Sequence, residues 1–271
     1  MSARLLTFGN AKGGVGKSTS AAITAYLLST QYKQKVLAVD MDGQGHLTGF
    51  ITGQYKLHKV FPKHTMREAI LEKDIKPYIF QKDEYLDFVP ANRNLPVLNK
   101  DMIHQNIPVE TAMYDVLEPV MDDYDWIIFD TAPSLMDQSI MPLFTPAKSG
   151  NAYVVVMYDG AKMTYEGVND YFEYIEAAKR RSNPNLEILG VLLSIVDIRA
   201  REMPGVIKSL QTKHPDLLFE TIIQRRASTR RLSLEKLSTS NKELTDALEF
   251  YYSFVKELMD RAEKSEKQRG N

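Results

Sequence analysis

The run Gly9-Asn10-Ala11-Lys12-Gly13-Gly14-Val15-Gly16-Lys17-Ser18-Thr19 decides how this chain is read. It follows a short apolar segment, Arg4 to Phe8, and precedes Ser20 to Tyr32, where Ala, Leu and Ile recur at helical spacing. Strand, glycine loop and helix in that order aim unpaired backbone N–H groups at one point, and those groups and the helix dipole both favour an anion there. Three glycines let the loop curl so that successive N–H groups surround a phosphate. Lys17 is then placed to reach the β and γ oxygens, and the Ser18 hydroxyl to ligate Mg²⁺.

Two more strands bring carboxylates to the same region. Lys35 to Val39 runs into Asp40-Met41-Asp42-Gly43-Gln44-Gly45-His46-Leu47-Thr48, and Trp126 to Phe129 runs into Asp130-Thr131-Ala132-Pro133-Ser134. Four apolar residues followed by an acid put that carboxylate at the carboxyl end of a buried parallel strand, where open α/β sheets bind ligands. Asp130 is thereby expected to hold Mg²⁺ through a water; taken alone it reads equally as a turn or helix-capping aspartate. Asp40 and Asp42, at the end of the second strand, are expected to point apart and to have separate tasks.

The ordinary phosphate-loop pattern G-x-x-x-x-G-K-[ST] requires glycine at position 11, and this chain has Ala11. Its extra lysine, Lys12, is informative. The run Lys12 to Thr19 resembles the deviant Walker A motif of the ParA/MinD family of ATPases, and Asp40 to Thr48 is similar to that family's D-x-D-P-Q-G-N-x-[ST] segment, with Gly43 replacing Pro and His46 replacing Asn. Asp130 to Ser134 resembles its D-x-x-P-S turn after a Walker B strand. The resemblance implies ATP and Mg²⁺ as cofactors, with ATP held by Lys12, Gly13, Gly14, Val15, Gly16, Lys17, Ser18 and Thr19. It implies a catalytic set of Lys12, Lys17 and Asp42, in which Lys12 reaches across a nucleotide-sandwich homodimer to the partner's phosphates and Asp42 positions the attacking water. The metal set is Ser18, Asp40 and Asp130. His46 is expected to be a surface substitution.

The other segments alternate without repeats or low-complexity linkers, so the expected fold is α/β, a doubly wound, mostly parallel sheet with helices on both faces. Further strands are expected at Tyr85 to Val89, Ala152 to Met157, Leu186 to Ile195 and Leu217 to Ile223. Helices are expected from Thr65 to Lys73, with a Thr65/Glu68 capping box, from Val109 to Met121 with its end disturbed by Pro119, and from Met163 to Arg181. A final helix carries Leu244, Leu248, Tyr251, Val255, Leu258 and Ala262 on one face, as a core-packing helix does. Residues 1–262 are expected to form one ATPase domain and 263–271 a charged, flexible tail. Adenine contacts are sought near Ser194 to Asp197 and at Gln224.

Composition prunes the alternatives. Among 271 residues there is no cysteine, which excludes disulfides, thiolate zinc and iron–sulfur chemistry and suits a reducing cytoplasm. No apolar run approaches a membrane span, and the mixed-charge terminus lacks the bulky apolar residues of an amphipathic anchor, so no membrane association is expected. The net charge of −1 conceals an asymmetry: between Asp197 and Lys242 ten basic residues meet five acidic ones. Within that segment Arg225, Arg226, Arg230 and Arg231 fall inside seven residues and suit DNA phosphates without base reading. A solvated helix face or a protein partner is the alternative for such a run. The resemblance then implies a DNA-partition ATPase of the ParA/Soj type, cytoplasmic and nucleoid-associated. It would bind non-specific DNA as an ATP dimer and be released by a ParB-type centromere-binding partner. The chain opens directly on the first strand, so operator binding through an N-terminal helix-turn-helix extension is not expected. A MinD-like spatial regulator with another cargo and a small-molecule P-loop enzyme are the alternatives.

Overall fold

The computed structural model describes residues 2–134, 137–225 and 242–269. Its strands are β1 (Arg4–Gly9), β2 (Val36–Met41), β3 (Phe80–Gln81), β4 (Leu86–Val89), β5 (Trp126–Thr131), β6 (Ala152–Tyr158), β7 (Leu186–Val196) and β8 (Ile223–Gln224). They form one sheet in the order β3-β4-β2-β5-β1-β6-β7-β8, parallel except for the antiparallel pair β3–β4. Parallel strands covered on both faces need apolar side chains in both directions. β2, β5 and β6 meet that requirement, being buried at every position.

Helices cover both faces. α1 (Lys17–Thr30), α2 (His46–Thr52) and α3 (Leu57–Val60) pack on one face. The other carries α4 (Met66–Glu72), α5 (Leu98–Gln105), α6 (Val109–Leu117), α7 (Asp137–Phe144), α8 (Lys162–Arg181) and α9 (Met203–Lys213). The last helix, α10 (Lys242–Arg269), returns to the first face and buries Leu248, Tyr251, Phe254, Val255, Leu258 and Ala262 there. The side chain of Leu244 lies outside the described residues. The doubly wound α/β expectation is borne out. The central strand β1 has β5 on one side and β6 on the other, so the chain changes direction across the sheet beside it, where such sheets bind ligands.

Three local expectations are corrected. Thr65 and Glu68 do not form a capping box: the Thr65 hydroxyl donates to the Glu68 carboxylate itself, leaving no side-chain cap on the α4 backbone. The strand expected at Leu217 to Ile223 shrinks to β8 and a single bridge from Leu218 to Val191. Between these, the N–H groups of Glu220 and Thr221 donate to the Glu257 carboxylate of α10, at 2.9 and 3.1 Å, instead of extending a ladder. Residues 263–269, read as a tail, continue α10. Arg4 grips Glu266 through two hydrogen bonds of 2.5 and 2.9 Å, and Glu187 accepts from Ser265 and Arg269. Pro119 acts as expected, ending α6 at Leu117 in a 3-10 turn.

Candidate nucleotide site

The phosphate loop leaves β1 at Gly9 and enters α1 at Lys17. Gly16 is the N-cap residue, with φ of 87°, and Gly14 also has positive φ, at 81°. A side chain at either position would be strained. Asn10, buried to 1%, anchors the loop: its amide donates to the Met157 carbonyl at the end of β6 at 2.6 Å, and its Oδ1 accepts from the Lys12 N–H at 2.8 Å. Lys17 is 5% exposed and turns back over the loop, donating to the carbonyls of Asn10 and Lys12 at 3.2 and 2.9 Å. Burial pulls its ammonium down to about 8, while the charges of Asp130 and Asp42 pull it back up.

Asp40 and Asp130 are partners in register on adjacent strands, facing α1. Their oxygens differ in what they have left to offer. Asp40 is fully committed: Oδ1 accepts from the Asp42 N–H, and Oδ2 accepts from the Thr48 N–H and hydroxyl at 2.9 and 2.6 Å. It fastens α2 to the end of β2. Both oxygens of Asp130 are fully buried without a hydrogen-bond partner. Burial first, and the Asp40 charge second, push its carboxyl well above the usual range, with Ser18 and Lys17 pulling the other way. An orphaned carboxylate beside a serine hydroxyl is the hard-oxygen chemistry Mg²⁺ takes, since that ion draws most of its ligands from phosphates and water. Among the described residues no three His, Cys, Asp or Glu groups cluster as a metal site. The residues therefore fit a nucleotide-borne Mg²⁺ and not an all-protein cage, with Asp130 and Ser18 offering the oxygens, whereas Asp40, expected in the metal set, has both oxygens hydrogen-bonded and holds α2.

Asp42 has a different environment from Asp40, although residues two apart on a continuous strand share a face. They diverge because β2 ends at Met41. Asp42 belongs to the following turn, where its Oδ1 accepts the Gln44 N–H at 2.9 Å. It lines a cavity of about 350 Å³ together with Gly13 to Thr19, Gln44, His46, Phe50, Thr131, Pro133 and Ile195. His46, expected to be a surface substitution, is exposed, and it also stands at the wall of this cavity. Of the segment considered for adenine, Ile195 reaches this cavity. Lys12 is exposed on the loop, its Cγ close to Gly167 of α8, where an added Cβ would stand 2.8 Å away.

Asn10, Thr48 and Gly167 escaped the sequence reading. Asn10 and Thr48 left only the weak signal that a polar residue beside a buried strand end needs partners. The arginine run is represented by Arg225, whose Nε donates to the Ile195 carbonyl at 3.3 Å; Arg226, Arg230 and Arg231 lie outside the described residues. A larger groove, about 740 Å³, opens near the C-terminal part of α10. There Arg261 is already spent on the carbonyls of Leu189, Asp216 and Leu218 and on Glu257.

A family model described as an AAA domain matches residues 3–188, including the loop and the strand that carries Asp130. The chain belongs to the AAA_31 family. Its relatives bear out the resemblance drawn from the motifs. This AAA_31 protein is 29% identical over 225 residues to the chromosome partitioning protein ParA of Myxococcus xanthus, covering 82% of this chain and 75% of that one. A putative plasmid partition protein from Borrelia burgdorferi, solved bound to AMPPNP, is 26% identical with a TM-score of 0.73, covering 94% of this chain and 99% of that one. The AAA_31 fold is also that of cobyrinic acid a,c-diamide synthase from Mycobacterium smegmatis, solved with an ATP analog and magnesium. That likeness has a TM-score of 0.73 at 24% identity over 94% of this chain and 93% of that one, and is one of fold.

Proposed function

We propose that this protein is an ATP-hydrolysing partition ATPase of the ParA/Soj type. One observation carries the reading: the loop Gly13 to Thr19, Asp42 and the orphaned carboxylate of Asp130 converge at the carboxyl ends of β1, β2 and β5. The loop N–H groups and Lys17 bind the phosphates. Lys17 does so by releasing the Asn10 and Lys12 carbonyls, which supports its being poised over the loop. Asp42 orients a water that attacks the γ-phosphorus as the bond to the β-γ bridging oxygen breaks, giving ADP and phosphate. Mg²⁺, carried in with ATP, supplies charge neutralisation, and Asp130 and Ser18 would hold it. Lys12, exposed on the loop, completes the site of a second copy in a face-to-face homodimer and neutralises charge as an arginine finger does.

The dimer binds non-specific DNA through the basic segment 197–242, in the cytoplasm and on the nucleoid, and a ParB-type partner stimulates hydrolysis and release. The M. xanthus and B. burgdorferi relatives support this cargo. No helix of the described residues is long and apolar enough to cross a membrane. The apolar face of α10 is already buried against the sheet and α1, which favours DNA over a membrane-bound cargo as in MinD. Equilibrium ATP binding, turnover and solution mass of Lys17→Ala and Asp42→Ala test the assignments. Lys17→Ala is expected to bind no ATP, and Asp42→Ala to bind it and dimerise while turning over at least about tenfold more slowly. Normal turnover by Asp42→Ala removes it from the water-positioning role.

A further inference from the structure

β7 slips beside the phosphate loop. Leu192 belongs to the apolar cluster under α1, whereas Leu193 and Val196 both belong to the cluster on the opposite face. Side chains alternate along a regular strand, so residues three apart share a face only when one residue between them is inserted. That residue is Ile195: its φ is +60°, and the register against β8 shifts between Ser194 and Val196. A left-handed backbone is disfavoured for a β-branched side chain and persists where the surroundings enforce it. The slip brings Ile195 onto the loop side together with Ser194. A Cβ added at Gly16 would stand 2.8 Å from Ser194 Oγ and 2.9 Å from Ile195 Cδ1, and Ser194 Oγ is buried with no partner.

Arg225 holds this conformation from outside. Its backbone N–H donates to the Val196 carbonyl at 2.9 Å, and its Nε donates to the Ile195 carbonyl at 3.3 Å. We infer that Arg225 is a positioning residue for the nucleotide, clamping the Ser194–Ile195 bulge against Gly16 so that this wall of the cavity is formed before the ligand arrives. The inference rests on the cavity being the ATP site, and it gives the first arginine of the basic run a task other than touching DNA.

The test measures binding of N-methylanthraniloyl-ATP with Mg²⁺, without DNA, to the intact protein and four variants checked by thermal unfolding. Glutamine places an amide nitrogen where the arginine Nε stands and carries no charge. Arg225→Ala is expected to weaken binding about fivefold, the scale of one net hydrogen bond, and Arg225→Gln to stay within about twofold of wild type. Ile195→Gly relaxes the left-handed backbone, so adding Arg225→Ala to it costs less than about twofold. Arg225→Ala binding like wild type, or Arg225→Gln binding as weakly as the alanine variant, overturns the inference. So does the full fivefold loss in the Ile195→Gly background, which decides the matter even when Arg225→Ala alone is too unstable to assay. A wild-type protein that binds no nucleotide removes the ATP reading itself, and is recognised before any variant is compared.

Discussion

Lys17 is held by the same loop it serves. Its ammonium pairs with two loop carbonyls in a buried site, and that burial brings its pKa down to about 8. A neutral lysine cannot neutralise phosphate charge, so ATP affinity at fixed Mg²⁺ is expected to be level below that pH and to fall above it, approaching about tenfold per pH unit. Titrations from pH 7 to 9.5 check this; a flat profile contradicts it. At this scale the sequence was legible where neighbours in the chain are neighbours in space. The glycines, Lys17 and Ser18 act through one continuous loop, and Asp130 was betrayed by the apolar run before it. Asn10 and Thr48 were not legible in the same way. The Met157 carbonyl that orients Asn10 is 147 positions away, and Thr48 is a helix residue until the commitment of Asp40 to it is seen.

The elements follow the same division. Hydrophobic periodicity was sufficient for α1, β1, β2, β5, β6 and the buried face of α10, because burial on both sides of a parallel sheet leaves a strong pattern. It failed where side chains compete with the backbone for hydrogen bonds. Glu257 captures the N–H groups that would have lengthened β8, and the pairing of Thr65 with Glu68 replaces a cap. The end of α10 was misread because its charges looked solvated, whereas Glu266 pairs with Arg4 at the start of β1. The hydrogen bond from Arg4 is the main cause of a Glu266 pKa below the usual carboxylate range. A lowered carboxylate pKa stabilises the fold above the unfolded value and loses that contribution as pH falls through the folded one. The end of α10 is therefore expected to loosen as pH falls below the usual carboxylate range, and at neutral pH in Arg4→Ala, with a stability loss of about 1 kcal/mol. Hydrogen exchange of residues 262–269 together with denaturant unfolding reads both. Leu258→Ala, in the fully buried stripe, is expected to cost about 2–5 kcal/mol.

For the whole molecule, the near-neutral total of −1 divides into a basic segment and an acidic remainder. The basic segment is anchored by elements that touch the nucleotide site. β8 lies on β7 beside Ile195, and α10 packs on the phosphate-loop helix, where Tyr251 and Ser20 share a hydrogen bond of 3.1 Å. This placement ties Arg225 to the wall of the nucleotide cavity, and Tyr251→Phe is expected to reduce stability by about 1 kcal/mol by unpairing Ser20. The family and sheet were legible because they rest on dense local motifs; the cargo was not, because a run of arginines specifies charge and no particular ligand. The most direct test is equilibrium binding to DNA of unrelated sequences with Mg-ATP, with Mg-ADP and without nucleotide, across a salt series. The account predicts tight binding with ATP alone, indifferent to sequence, with log affinity falling linearly against log salt by about 0.9 per phosphate neutralised. Absence of binding with ATP at low salt, or equal binding in all three nucleotide states, would contradict it.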